Sequence, residues 1–290
     1  MTAIAWLNGE LVERERASVS IDDLGFRYGA ACFETFRAYR GVPFRLDRHL
    51  ARLAAGLALL GIAAPAEQEL GAAVEVALRA NGLPAARVRL TVSAGPDGGT
   101  RRLADAGPPT VLVVVEAAPA APSPVIALVT STRIDERDPL RRAKTSNYLP
   151  SLLALAEARA AGCEHALLRN IAGDIAEAAT ANVFAVVEGV LRTPPLDAGA
   201  LPGITREAVL ECARALGLPA EEGALSVPAL AHAAEAFVTS AGAGVQPLAG
   251  VRLADGSAFE FAAAPERCTV ALDRAYRDLV ARETAPPATF

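Results

Sequence analysis

The sequence predicts a two-domain α/β protein (α+β in the finer sense), with strands and helices mixed in each half. Short β-rich runs alternate with apolar patterns of helical period along most of the chain. One Pro- and Ala-rich, uncharged stretch, Ala117-Ala-Pro-Ala-Ala-Pro-Ser-Pro124, interrupts them. The 290 residues, 52% of them hydrophobic, suffice for two modest cores. The expected division is residues 1–118 as N-terminal domain, 119–124 as linker and 125–290 as C-terminal domain.

Taken in order, Ile4 to Val12 reads as two short strands around an Asn8-Gly9 turn. Cys32 to Tyr39 alternates and is rich in aromatics, so it reads as a strand that Gly41-Val42-Pro43 then turns. Asp47 is the expected N-cap of a helix whose apolar face is Leu46, Leu50, Leu53, Leu57 and Leu60, with Arg48 and Arg52 one turn apart. A second helix spans about Glu67 to Ala80 and stops at Asn81-Gly82. Strands at Val88–Val92 and Thr110–Val115 flank a polar, Gly-rich loop carrying Arg101 and Arg102, of the kind that reaches into binding sites. Beyond the linker come a strand at Val125–Val129 and a helix at about Leu149–Ala161. Strands at Ala166–Leu168 and Val183–Val187 follow, then a helix with Thr205 near its start that reaches Leu216. A strand at Glu235–Ser240 and a closing helix near Arg267–Arg282 complete the reading.

Composition excludes several classes. A formal charge of −5 with no basic block argues against a nucleic-acid partner. No apolar run approaches the roughly 18 residues of a membrane span, and no signal-peptide pattern is visible. The four cysteines (Cys32, Cys163, Cys212, Cys268) lack metal-ligand spacing, and with only three histidines no metal is expected. Reduced thiols and a cytoplasmic location are the resulting expectation.

One residue stands out. Lys144 is the only lysine among 28 Lys and Arg residues. Where arginine replaces lysine wherever a plain charge suffices, a surviving lysine is a candidate for what arginine cannot do: deprotonate and attack a carbonyl carbon. Around it stand Tyr148 before a helix, Glu177 ahead of a strand, Gly203-Ile-Thr205 at a helix start and Thr239-Ser-Ala-Gly242 after a strand end. Helix-start amides with Thr and Ser hydroxyls form a phosphate cup. An amine, a carboxylate for a pyridinium and such a cup are what pyridoxal 5′-phosphate requires.

In this order the motifs resemble the class IV (fold type IV) pyridoxal-phosphate enzymes: branched-chain aminotransferases, D-amino-acid aminotransferases and aminodeoxychorismate lyases. The matching stretches are Leu7-Asn-Gly-Glu10, Phe26-Arg-Tyr-Gly29, Phe33-Glu-Thr-Phe-Arg37 and His49-Leu-Ala-Arg-Leu53. They continue with Lys144-Thr-Ser-Asn-Tyr148, Glu177 through Asn182-Val-Phe184, Thr193-Pro194, Leu201-Pro-Gly-Ile-Thr-Arg206 and Val238-Thr-Ser240. The resemblance implies a small α/β N-terminal domain and a larger C-terminal domain with a pseudo-barrel β core. It implies a homodimer whose site lies between the domains, with a loop borrowed from the partner.

It also implies roles. Lys144 would hold pyridoxal 5′-phosphate as an internal aldimine and shuttle the proton. Glu177 would pair with the pyridine nitrogen, and Tyr148 with the ring's phenolic oxygen. Arg52, Ile204, Thr205, Ser240 and the backbone of Ala241 would hold the phosphate. Tyr28, Phe33 and Arg37 would line the substrate pocket, with Arg101 or Arg102 as further candidates for the substrate carboxylate. The chain departs from the family's pattern at Ala241, where a hydroxyl residue is common, at Ala30-Ala31 in place of Asp-Gly, and at Ala94 in place of an arginine. The activity implied is transamination between an aliphatic, branched-chain or D-amino acid and a 2-oxo acid. The alternative is a lyase forming 4-aminobenzoate and pyruvate from aminodeoxychorismate. Glu34 favours the transaminase and the small pair Ser240-Ala241 leans mildly the other way.

Overall fold

Alternation along three strands dictates the first layer. The computed structural model describes residues 3–100, 102–261 and 268–285. These gather into two units, one holding the chain to Pro119 together with Ala143–Asn147 and the stretch from Val280, the other holding Ala120–Arg142 and Tyr148–Leu279.

The first unit is built on β1 (Ile4–Leu7), β2 (Glu10–Glu13), β3 (Ala31–Tyr39), β4 (Val42–Pro43), β5 (Ala85–Ser93) and β6 (Thr110–Ala117). They pair antiparallel in the order β2-β1-β6-β5-β3-β4. Side chains alternate faces along a strand. Cys32, Phe36 and Ala38 of β3, Val88, Leu90 and Val92 of β5, and Val111, Val113 and Val115 of β6 form one apolar face. Two helices, α2 (Leu46–Leu60) and α3 (Glu67–Asn81), cover it with Leu50, Leu53, Leu57, Leu70, Val74 and Leu78. Phe33, Thr35 and Arg37 point to the opposite face.

Helix α2 begins two residues earlier than the expected cap at Asp47 implies. Arg45 occupies the cap position in the left-handed region (φ 52°), and Asp47 lies inside the first turn, where the helix dipole favours a carboxylate. Helix α3 stops where expected, with Gly82 in the left-handed conformation. A short helix, α1 (Leu24–Tyr28), was not anticipated. Buried Asp23 specifies it: its carboxylate accepts from the Gly25 and Phe26 amides and from the hydroxyls of Ser93 and Thr110.

The second unit is a nine-stranded sheet. Its strands are β7 (Val125–Ile134), β8 (His165–Asn170), β9 (Ile175–Ala178), β10 (Asn182–Val187), β11 (Val190–Thr193), β12 (Ala220–Glu222), β13 (Glu235–Ser240), β14 (Gly244–Arg252) and β15 (Ala258–Glu260). The order is β12-β11-β10-β13-β14-β7-β8-β9, with β15 on β14. A bridge between Ala178 and Ala181 returns the last strand to β10, so the sheet curls round a core of Val129, Leu167, Ile175, Val183, Val238 and Leu248. Parallel β7 and β8 require a crossover, supplied by α4 (Leu149–Ala160), whose Ala154, Leu155 and Ala158 pack on Leu128, Ala166 and Leu168. Helix α5 (Ile204–Ala215) contacts β13, and α6 (Val227–Ala231) contacts β10. Helix α7 (Cys268–Glu283) starts on the buried carboxylate of Glu235, which accepts from both first amides and from Thr269 Oγ1. The expected start of that helix at Arg267 lies outside the described residues. Strand β14 escapes a sequence reading because Pro247 and its glycines signal a loop. It pairs β13 with its first half and β7 and β15 with its second, across a bulge at Leu248–Gly250.

Among the described residues no helix is long and apolar enough to cross a membrane, and no cluster of three metal-ligating side chains occurs.

Asp23→Ala removes a helix cap and leaves the hydroxyls of buried Ser93 and half-buried Thr110 short of an acceptor. We expect a loss of roughly 2–4 kcal/mol in urea unfolding, above the range for a surface change. A shift under about 0.5 kcal/mol refutes this account of α1.

Candidate active site

In the first unit the site residues hang on β3. Its start acquires an extra partner from a distant part of the chain. The Phe33 amide donates to Lys144 C=O (2.9 Å), the Ser146 amide donates to Ala31 C=O (2.8 Å), and Thr145 bridges Cys32. The backbone on both sides of the lysine is therefore held by strand-type bonds. Helix α2 passes closely beneath because Gly56 has no side chain; a Cβ there would stand 3.0 Å from Cys32 Sγ and 3.3 Å from Ala143 Cβ. Lys144 is half-buried, with Nζ 4.5 Å from the centroid of the Phe33 ring. The guanidinium of Arg89 lies 3.7 Å from the same centroid. Such cation–π contacts are worth about 0.5–2 kcal/mol each.

On the inward side of β3, Glu34 is fully buried. Arg52 grips it with Nε and Nη2, each at 2.7 Å, and His49 Nδ1 stands 2.6 Å from Oε2. Burial alone pushes this carboxyl's pKa up, but the hydrogen bonds from His49 and Arg52 outweigh it and hold the group at about 2. Burial drives His49 below its ordinary value. A neutral ring beside an ionised carboxylate carries its proton on Nδ1, so His49 donates to Glu34. Arg52 was expected at a phosphate; the structure commits one edge of its guanidinium to Glu34.

In the second unit Glu177 lies on β9, buried, its two oxygens separately engaged. Arg141, in a 3-10 turn at Pro139–Arg142, pairs with Oε1 and also donates to Gly199 C=O at 3.2 Å. The Leu201 amide donates to Oε2 at 2.9 Å. Tyr148, just before α4, donates its hydroxyl to Ala179 C=O at 3.0 Å. Ile204 and Thr205 open α5 and are buried; Gly203 at the cap position has no side chain to serve the first amides. Ser240 Oγ accepts from the Ala243 amide at 3.1 Å, and half-buried Ala241 offers only its backbone.

The remaining expected residues lie apart. Arg37, on the Phe33 face, donates to Pro119 C=O at 3.0 Å. Tyr28 is 52% exposed at the end of α1, with Arg27 over its ring. Arg102 is exposed, 3.8 Å from Asp105, and Arg101 lies outside the described residues. Sequence reasoning missed Arg141, Arg89 and the partnership of Glu34 with His49. The first gives no signal beyond proximity to Lys144. The last was legible: an acid at an inward position of an alternating strand demands cations, and His49 and Arg52 share a helix face.

The donor set fits pyridoxal phosphate. An amine, a buried carboxylate and an uncapped helix start are all present, and the hydroxyl of Thr239, at the end of β13, is buried with no partner among the described residues. No disulfide joins the four cysteines, and burial pushes the Cys32 and Cys268 thiols up to about 11, out of the range of a thiolate nucleophile at neutral pH.

Known proteins resemble this chain in sequence and fold. The profile of the family described as amino-transferase class IV matches residues 31–251. A putative branched-chain-amino-acid aminotransferase of Methanocaldococcus jannaschii is 36% identical over 252 residues, 84% of this chain and 86% of that protein. The D-alanine aminotransferase of Listeria monocytogenes is 31% identical over 258 residues, 86% and 89% of the two. The T.th. branched-chain amino acid aminotransferase, solved with N-(5′-phosphopyridoxyl)-L-glutamate, superposes with a TM-score of 0.87 at 28% identity, over 98% of this chain and 96% of that one. Fold and profile together define an enzyme with the fold of the type IV pyridoxal-phosphate proteins. The chain belongs to the class IV amino-transferase family.

The Glu34 cluster makes stability depend on pH. Its folded pKa of about 2 lies below the ordinary 4.5, so its contribution is complete above about 4.5 and fades as pH falls through about 2. Urea midpoints of wild type and Glu34→Gln, the latter leaving Arg52 without its counter-charge, should differ most above that window and converge below it. A pH-independent difference contradicts the assignment.

Proposed function

We propose that this chain transfers an amino group between an aliphatic amino acid, of the branched-chain kind, and a 2-oxo acid, with pyridoxal 5′-phosphate as cofactor. The observation that carries the reading is the sole lysine, held by strand-type bonds beside Phe33 in a member of the class IV amino-transferase family. Bound there, the cofactor supplies the electron sink for the pair left when the substrate's Cα–H bond breaks.

The protein's own residues do the rest. Lys144 holds the cofactor through its amine, and the freed amine takes the Cα proton and returns it. Glu177 keeps a proton at the ring nitrogen, its carboxylate steadied by Arg141 and the Leu201 amide. Tyr148 would hydrogen-bond the ring's phenolic oxygen. The phosphate falls to Arg52, whose plane Glu34 fixes, and to the first amides of α5 with Thr205, Ser240 and the Ala241 backbone. Phe33 and Tyr28 contribute apolar walls for the side chain. Arg37 and Arg89, both on the Phe33 face of the first sheet, supply positive charge for carboxylates, with Arg102 and Arg101 as further candidates.

The D-alanine aminotransferase among the relatives supports a second reading, in which the donor is a D-amino acid. The large apolar side chains exposed at Ile21 and Phe26 support a homodimer. The absence of a long apolar helix among the described residues is consistent with a cytoplasmic enzyme.

Lys144→Ala and Lys144→Arg should both be inactive and lack cofactor absorbance, because arginine keeps the charge but not a nucleophilic amine. Glu177→Gln should retain cofactor yet slow turnover by about 10² to 10³, whereas Arg52→Ala should chiefly weaken cofactor affinity. The decisive assay presents alanine, leucine and glutamate of both hands with pyruvate and 2-oxoglutarate, and separately aminodeoxychorismate. Turnover in Lys144→Arg without added amine, or pyruvate release from aminodeoxychorismate with no amino exchange, overturns the proposal.

A further inference from the structure

The turn that leads into α5 is held at both faces of one residue. The Leu201 amide donates to Glu177 Oε2 at 2.9 Å, and the Leu201 carbonyl accepts from Asn182 Nδ2 at 2.8 Å. Glu177 and Asn182 are themselves locked together. Between them Ala178 and Ala181 form a tight bridge, the Ala178 amide donating to Ala181 C=O at 2.8 Å, so their separation is set by backbone bonds. Asn182 is buried on β10, with 6% of its surface exposed. Two residues beyond Leu201 stands Gly203, which presses against Asn182 so closely that a Cβ there would collide with Oδ1. The backbone of Gly203 (φ −75°, ψ 131°) is open to any residue, so the glycine is required by that contact and not by conformation.

We infer that Asn182 is a positioning residue for the cofactor's phosphate. It fixes the first amides of α5 at a set place relative to Glu177, so the grips on the two ends of the cofactor are spaced before it binds. The inference rests on the pyridoxal-phosphate reading given above. Preorganisation of this kind raises affinity by removing the ordering that binding would otherwise require. Asparagine is specific to the task because Nδ2 must donate to a carbonyl. Aspartate has the same shape but sets an acceptor and a charge against Leu201 C=O.

The test compares pyridoxal 5′-phosphate with pyridoxal, which lacks the phosphate, each titrated into the full-length apoenzyme and followed by absorbance. The proteins are wild type, Asn182→Ala, Asn182→Asp, Gly203→Ala and the double variant Asn182→Ala/Gly203→Ala. Wild type should prefer the phosphorylated form. Asn182→Ala and Asn182→Asp should weaken that form by about tenfold, the scale seen when outer supports of a bound group are removed, and leave pyridoxal unchanged. Gly203→Ala should lose at least as much. The double variant should be no worse than Asn182→Ala, because the collision partner is gone. The ratio of the two affinities is read within one preparation, so a general loss of folded protein does not mimic the result. If Asn182→Ala fails to fold, Asn182→Asp and Gly203→Ala carry the same expectation. Equal weakening of both forms, no weakening of either, or defects that multiply in the double variant overturn the inference alone. Wild type that does not bind pyridoxal 5′-phosphate overturns the cofactor assignment and this inference with it.

Discussion

A carboxylate buried without compensation costs several kcal/mol, and the first unit is arranged to avoid that loss at Glu34. The acid sits on the inward face of β3, where every neighbouring inward side chain is apolar. Its charge is met by Arg52 and His49, which α2 presents one turn apart. The pairing clamps α2 to the sheet and leaves the guanidinium of Arg52 with one orientation. The same strand carries Phe33 on its other face and binds the Lys144 backbone at its start. One strand thus orders a cation, a ring and an amine, because alternation sends its side chains to two faces while its edge remains free to pair.

The second unit solves a different problem by related means. Glu177 is an acid held against rotation. Glu177 has one oxygen on a guanidinium and the other on a backbone amide, which restrict it from both sides. Arg141 is tied in turn to Gly199 C=O. The chain from Gly199 to α5 is accordingly fastened at each step, and the helix start it delivers has buried first residues and no cap of its own. A helix end left without a cap is a poor element for stability and a good one for an anion.

Cations gather near Phe33. Arg89 and Lys144 both stand over its ring, and Arg37 projects from the same face of the sheet. An aromatic surface among arginines suits molecules that pair an apolar side chain with a carboxylate, as amino acids and 2-oxo acids do. Relatives named for branched-chain amino acids and for D-alanine each align with more than four fifths of this chain.

Much of this protein was legible in the chain itself. The uniqueness of Lys144 is a property of composition, and the apolar periods of α2, α3 and α5 mark helices that bury one face. Strand β13 has the limits its β-rich run indicates. Local chemistry suffices for such features because each is decided by neighbours within a few residues. Strand β14 was not legible, since its proline and glycines oppose a strand and only its pairing with β13, β7 and β15 makes it one. Nor were the partners of the functional side chains. Glu34 with Arg52, Glu177 with Arg141, and Asn182 with Leu201 are separated in sequence by 18, 36 and 19 residues. A single sequence records which groups are present, whereas the cost of burying a charge or leaving a carbonyl unpaired arises only once distant segments share one interior. The sequence alone therefore determined the chemistry available to this enzyme, and tertiary packing decided which groups hold which.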